Sequence, residues 1–334
     1  MSGAAAVVER VAAETGFSGV VRVDRGGATE VARAFGLADR AHEVPMTTDT
    51  CLAIASGTKG FTALAVLLLV VDGTLALGTT ARSLLGPDLP QVAGDVTVEQ
   101  LLAHTSGIGD YLDEESDLPI SAYVMPVPVH RLAVAEDYLA VLDGYPTAFP
   151  AGERFTYCNG GYVVLALLAE RASGVPYHDL VEQRVLRPAG LADTAFLPSD
   201  SLPGRAALGY VEVDGVERSN VLHLPVRGVG DGGLYATVDD VHRFWAALFE
   251  GRILPRDMLA ELVRPRDPSA GDRYGLGFWL SGGDGVQLEG YDAGVSFRSI
   301  HDPVAGTTWT VAANTSEGAW PVARALAQAL GEGV

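Results

Sequence analysis

The sequence predicts an α/β plus all-α protein, with one antiparallel sheet built from strands at the two ends of the chain and a helical middle inserted between them. Alternating apolar residues bounded by turn residues occur near residues 17–37 and again over 274–313, whereas apolar residues at helical spacing dominate the stretch between. No internal repeat or low-complexity linker suggests another arrangement.

The elements follow in order. Val7, Val8, Val11 and Ala12 share one helical face, and Phe17 to Val23 then alternates toward the turn Asp24-Arg25-Gly26-Gly27, with Thr29 to Leu37 as the returning strand. A long apolar helix runs from Ser56 to Val71 and stops at Asp72-Gly73. From about 75 to 265 the pattern is helical or irregular. Thr97 to His104 is a short helix whose Thr97 and Gln100 form a capping box. Gly160 to Arg171 and Val238 to Phe249 are further helices. Tyr274 to Leu280, Val286 to Gly290, Gly294 to Ile300 and Thr307 to Ala313 read as successive strands, and Pro321 to Leu330 as a terminal helix begun by proline. The expected division is a discontinuous α/β unit, 1–75 with 266–334, and a mainly helical unit, 76–265.

The chain has 334 residues, 48% of them hydrophobic, ample for a buried core. Its formal charge of −19 repels phosphate backbones and anionic lipid, so neither nucleic acid nor a membrane surface is an expected partner. Two cysteines, Cys51 and Cys158, are too few for a disulfide scaffold or a thiolate metal site, and read as small buried side chains. The seven histidines include no pair three or four apart on a helix, so no metal is expected. The first residues lack a basic start followed by an apolar run, and the longest apolar stretch, Ala63 to Val71, is far short of the roughly 20 residues of a membrane span. A soluble cytoplasmic protein is the expectation.

Of 23 basic side chains only Lys59 is a lysine. It stands three residues after Ser56 at a helix start, so amine and hydroxyl share one face. A hydroxyl becomes nucleophilic when a base takes its proton, and a desolvated amine can do so where a guanidinium cannot. The segment Tyr157-Cys158-Asn159, in a loop before a helix, offers a phenol for proton relay and an amide for orienting substrate. Gly228-Val229-Gly230-Asp231-Gly232-Gly233 formally matches a dinucleotide-binding loop, but no βαβ unit surrounds it and an Asp interrupts it, which favours a tight loop beside the cleft. The run Asp110, Asp113, Glu114, Glu115 and Asp117 reads as a solvated loop, and His104 as a structural turn residue.

Taken together, Ile54 to Leu64, Leu101 to Ile108 with its His104-Thr105-Ser106-Gly107 turn, Pro150 to Asn159, Gly232 to Asp240 and Tyr274 to Phe278 are recognisable. The chain resembles the serine β-lactamase and penicillin-binding-protein superfamily, in its branch of class C β-lactamases, DD-peptidases and esterases. The resemblance implies the serine β-lactamase-like (DD-peptidase) fold with the active site between its two parts. It implies an acyl-enzyme on Ser56, Lys59 as base, Tyr157 sharing proton transfer, Asn159 holding Lys59 and substrate, no cofactor, and a small ester or amide as substrate. The expected third motif, Lys-Thr-Gly or His-x-Gly, is altered. Ungapped alignment puts Tyr291 in the cation's place and Gly294 as the second oxyanion donor. That departure weakens recognition of a substrate carboxylate, favouring an esterase or peptidase over an efficient β-lactamase, and it motivates the alternative of a non-catalytic binding protein on the same scaffold.

Overall fold

The computed structural model describes residues 3–112, 119–266, 274–281 and 283–331. A six-stranded sheet joins the two ends of the chain. Its strands are β1 (Gly19–Arg25), β2 (Ala28–Phe35), β3 (Trp279–Leu280), β4 (Val286–Asp292), β5 (Val295–Asp302) and β6 (Thr307–Ala313), in the spatial order β3-β4-β5-β6-β1-β2 with every neighbouring pair antiparallel. The closing register sets Gly19 opposite Ala313 and Arg25 opposite Thr307.

Both faces of the sheet are covered, so β6 near its middle is buried at six of its seven positions, its threonines included. On one face Val21, Val23, Trp309 and Val311 pack against α1 (Gly3–Thr15) and the terminal helix α5 (Ala319–Leu330). Pro321 lies inside the first turn of α5, which begins two residues earlier than its sequence signal. On the other face Val20, Leu288, Phe297 and Ala312 join the larger core with α2 (Thr58–Val71), α3 (Asn159–Ser173) and α4 (Val238–Phe249). Polar pins fix this contact: Trp245 donates its indole N–H to Ser299 at 2.9 Å, and Ser299 bonds the Thr310 hydroxyl at 2.8 Å. Buried polar side chains paired in this way avoid the cost of unmet hydrogen bonds.

Two expectations need correction. Tyr274 to Leu280 is not a full strand; only Trp279–Leu280 joins the sheet, while Gly275 and Gly277 fold the preceding residues into a loop against Leu262 and α2 in which Tyr274 bridges back to Trp279. The middle also contains strands. Leu234–Ala236 and Ala195–Phe196 form a small three-stranded sheet with Leu52–Ala53 of the first segment, and Tyr210–Val213 pairs with Val216–Ser219 as a hairpin. The capping box is present at the short helix Val98–Leu102, with Thr97 and Gln100 bonding each other's backbone, an arrangement worth about 1 kcal/mol. Among the described residues no helix is long and apolar enough to cross a membrane.

Candidate active site

Ser56 sits in a 3-10 turn, Ala55–Gly57, that feeds directly into α2. The residue before it, Ala55, has φ +43, a left-handed conformation that costs a non-glycine residue energy and is held by its surroundings. Ile54 donates its N–H to the Leu234 carbonyl at 2.9 Å, and Thr58 bridges the Ala55 carbonyl (2.7 Å) and the Leu234 N–H (3.1 Å), so the turn is stitched to the small sheet on both sides.

Lys59 lies one helical turn on, with only 2% of its surface exposed. Its Nζ is 2.8 Å from Ser56 Oγ, 2.7 Å from Asn159 Oδ1 and 2.9 Å from the main-chain oxygen of Asp231. Two of these partners are carbonyl oxygens that only accept. The Ser56 hydroxyl can accept as well, so all three partners meet donors of the amine. The ring of Tyr157 stands 4.9 Å from the same Nζ. The four residues singled out as a nucleophile and its partners therefore meet at one amine.

Aromatic packing fixes Tyr157. Trp279 of β3 stacks on it at 5.8 Å and 11°, and the His104 ring lies 4.4 Å away. His104 is buried, with φ +57; its Nδ1 accepts the Cys158 N–H at 3.1 Å and its carbonyl the Thr156 N–H at 2.9 Å. Burial, reinforced by nearby Lys59, holds its imidazole well below the usual value, so it is neutral. Asn159 opens α3 under a carboxylate cap: Asp110 accepts the N–H groups of Asn159 (2.5 Å) and Gly160 (2.8 Å). Burial pushes the Asp110 carboxyl up to about 6, and these bonds only partly offset it.

The glycine-rich segment 228–233 is a tight loop. A side chain at Gly230 would meet the Tyr162 carbonyl at 2.0 Å, and one at Gly228 the Gly232 carbonyl at 2.2 Å. The loop presents the Asp231 main chain to Lys59, while the Asp231 carboxylate takes the Tyr111 hydroxyl. Burial raises the Asp231 carboxyl, with Lys59 opposing.

Strand β4 forms the opposite wall. A side chain at Gly290 would sit 2.1 Å from the Ile54 carbonyl and 3.0 Å from Ser56 N, so only glycine lets the strand come this close. The two third-motif residues lie elsewhere. Tyr291 is 42% exposed and turns to Trp320, and burial together with Glu317 raises its hydroxyl to about 12. Gly294, in the β4–β5 turn with φ +74, gives its N–H to Ser316 Oγ at 2.8 Å. Alternation along the strand explains the difference: Leu288 and Gly290 face α2 and Ser56, so Tyr291 faces away and Asp292 returns to the cleft. The residue set against Ser56 is thus Gly290, and the β4–β5 turn takes up the Gly294 N–H.

The Beta-lactamase family model matches residues 4–332.

The chain belongs to the Beta-lactamase family.

Within that family it is 30% identical over 281 residues to penicillin-binding protein 4* of Bacillus subtilis, an alignment covering 79% of this chain and 59% of that protein. It is 30% identical over 325 residues to the esterase EstB of Burkholderia gladioli, covering 86% of this chain and 77% of EstB. The crystal structure of a penicillin-binding protein from Bacillus halodurans superposes with a TM-score of 0.90 at 34% identity, covering 97% of this chain and 99% of that one. The chain spans about three-fifths of the length of the first two curated penicillin-binding-protein relatives that it matches.

Several residues around this Beta-lactamase-family site carried no sequence signal of their own. Asp231 acts through a main-chain oxygen, which any residue type supplies. Tyr162 and Trp279 join the aromatic wall from a helix and an edge strand. Of the acidic run, Asp113, Glu114, Glu115 and Asp117 lie outside the described residues, while Asp110 proves to be the cap of α3. Cys158 is buried and its Sγ accepts the Gly161 N–H at 3.3 Å; Cys51 is buried beside Ala206 and Tyr235.

Proposed function

We propose that the protein is a serine hydrolase that cleaves an ester or amide through an acyl-enzyme on Ser56. The observation that carries this reading is the placement of a buried amine, held by two carbonyl oxygens, 2.8 Å from the Ser56 hydroxyl. Ser56 Oγ attacks the substrate carbonyl carbon as its proton passes to Lys59 Nζ. The Ser56 N–H, at the head of α2, faces the negative charge that develops on the carbonyl oxygen. Lys59 and Tyr157 return the proton to the departing alcohol or amine, and Asn159 keeps Lys59 in line. Water then attacks the acyl-enzyme, releasing the acid and restoring the hydroxyl. On this reading the site lies where residues 1–75 and 266–334 meet residues 76–265. Its kinship with an esterase and with penicillin-binding proteins supports hydrolysis of small esters or amides.

A fluorophosphonate probe with p-nitrophenyl ester turnover tests the reading. The expected result is stoichiometric labelling and burst kinetics, both lost in Ser56→Ala. Labelling that persists in Ser56→Ala moves the nucleophile elsewhere, and neither labelling nor turnover in the parent leaves the binding-protein alternative.

A further inference from the structure

Asp231 meets Lys59 with its main chain and Tyr111 with its side chain. The main-chain oxygen bonds Lys59 Nζ at 2.9 Å, while the carboxylate takes the Tyr111 hydroxyl. Tyr111 and Asp231 both border the cavity that begins at Ala55, beside Ser56. Tyr111 is itself fixed, because its carbonyl accepts the Tyr123 hydroxyl at 2.8 Å. Any residue type supplies the oxygen that Lys59 uses; only an acid places a charge there.

That charge bears on Lys59. All three partners of Nζ can accept, so hydrogen bonding alone suits an ammonium as well as an amine. Only the amine can take the Ser56 proton, and a nearby anion favours the ammonium. The other titratable groups facing Lys59 are uncharged or face it with a ring. Burial raises Tyr162, Tyr274 and Cys158, so they keep their protons, and burial with Lys59 keeps His104 neutral. Tyr157 adds the face of its ring. Around Asp231, burial likewise raises the phenols of Tyr111, Tyr123, Tyr138 and Tyr177, and Asp110 is the neighbouring carboxyl. Burial raises the Asp231 carboxyl, and Lys59 and then the Tyr111 bond oppose it.

We propose that Asp231 is a positioning residue whose carboxylate sets the charge on Lys59, with the Tyr111 hydroxyl holding that carboxylate away from the amine. The inference rests on the acyl-enzyme reading above and adds the control of its base. A carboxylate swung onto Nζ would pair with an ammonium and keep the proton there. Tied to Tyr111, it stabilises the ammonium that forms when Ser56 gives up its proton without locking the resting side chain in that form.

The test uses the composition of the chain. Lys59 is its only lysine, so protein isotope-labelled at lysine Cε gives one side-chain NMR resonance, whose pH titration reports Lys59 without reference to turnover. Asp231→Asn is expected to lower the midpoint by about one pH unit or more, and Tyr111→Phe to raise it by about half a unit or more. The double variant is expected to titrate with Asp231→Asn, because the hydroxyl acts only through the carboxylate. Asp110→Asn, at the neighbouring carboxyl, is expected to move the midpoint less than half as far as Asp231→Asn. The acid limb of kcat/KM for a p-nitrophenyl ester is expected to follow the resonance in each variant. A midpoint unmoved by Asp231→Asn, an equal movement in Asp110→Asn, or a Tyr111→Phe shift that persists without the carboxylate overturns the proposal. Should Asp231→Asn fail to fold, Tyr111→Phe decides alone, and a midpoint that stays or falls overturns it. Absent Ser56 labelling overturns the hydrolase reading instead, whichever way the resonance titrates.

Discussion

Asn159 Oδ1 lies 2.7 Å from Lys59 Nζ, although the two residues come from the heads of different helices. The bond ties α3 to α2 at the Lys59 amine. Lys59→Arg is expected to reduce kcat by at least about a thousandfold, because a guanidinium keeps its proton and cannot serve as base. Asn159→Ala, which leaves the amine with one carbonyl partner, is expected to cost about a hundredfold with a smaller change in KM. Steady-state kinetics beside far-UV circular dichroism check both; near-normal turnover in Lys59→Arg contradicts the base role.

Tyr157 is held between His104 and Trp279 with its ring over Lys59. Removing its hydroxyl should leave that packing in place while slowing acylation by about a hundred- to ten-thousandfold. The amplitude and rate of the p-nitrophenol burst in Tyr157→Phe measure this directly. A burst as fast as the parent's removes Tyr157 from the proton path.

Gly290 brings β4 into contact with the nucleophile turn, where a methyl group would meet the Ile54 carbonyl at 2.1 Å. Gly290→Ala must push strand and turn apart, with a packing cost of about 1–3 kcal/mol. Because the displaced atoms include Ser56 N, activity should fall further than stability. Thermal unfolding and kcat/KM measured together test this, and parent-like activity shows that the wall is not needed at that distance.

Two buried groups give opposite pH slopes. Asp110 is raised from 3.8 to about 6, so the folded state holds its proton more tightly than the unfolded chain; its contribution is complete below 3.8 and is lost as the pH rises through 6. His178 donates from Nε2 to the Gly228 carbonyl at 2.8 Å, yet burial lowers it from 6.5 to about 4. Its contribution is present above 6.5 and is lost as the pH falls toward 4. Urea unfolding should show Asp110→Asn gaining on the parent between pH 4 and 7, by up to about 3 kcal/mol, and His178→Gln flattening the acid side. An unchanged difference across that range refutes either assignment.

His104 bonds the backbone on both sides of Tyr157, through the Thr156 and Cys158 N–H groups. Asn tolerates a positive φ and places an oxygen near the position of Nδ1, whereas Phe restores only the ring. His104→Asn is expected to keep kcat about tenfold above His104→Phe at similar KM, with rates normalised to burst amplitude. Equal losses in both variants reduce His104 to a packing residue.

The motifs legible in the sequence are those whose chemistry and local structure coincide. Ser56 and Lys59 lie one turn apart where a 3-10 turn runs into α2, Thr97 and Gln100 cap another helix, and Tyr157 precedes a helix start. The long strands were legible from alternation. The small sheet was not, since strands of two or three residues cannot display a period. On the third wall the alignment set Tyr291 on the cleft, whereas alternation along β4 turns Gly290 to Ser56 and Tyr291 away, a choice of face that residue identities alone do not mark. Asp231 escaped because a main-chain oxygen leaves no trace in residue identity.

The pairing of β1 with β6 and the approach of Gly290 to Ser56 join segments separated by most of the polypeptide. A ribosome exposes Ser56 and Lys59 long before it has made β4, so the nascent chain carries its reactive pair without the wall that frames it. Contacts this distant in sequence form slowly. Hydrolysis should therefore appear only after β4 through β6 have been synthesised and have closed against β1, which makes activity itself a late reporter of folding.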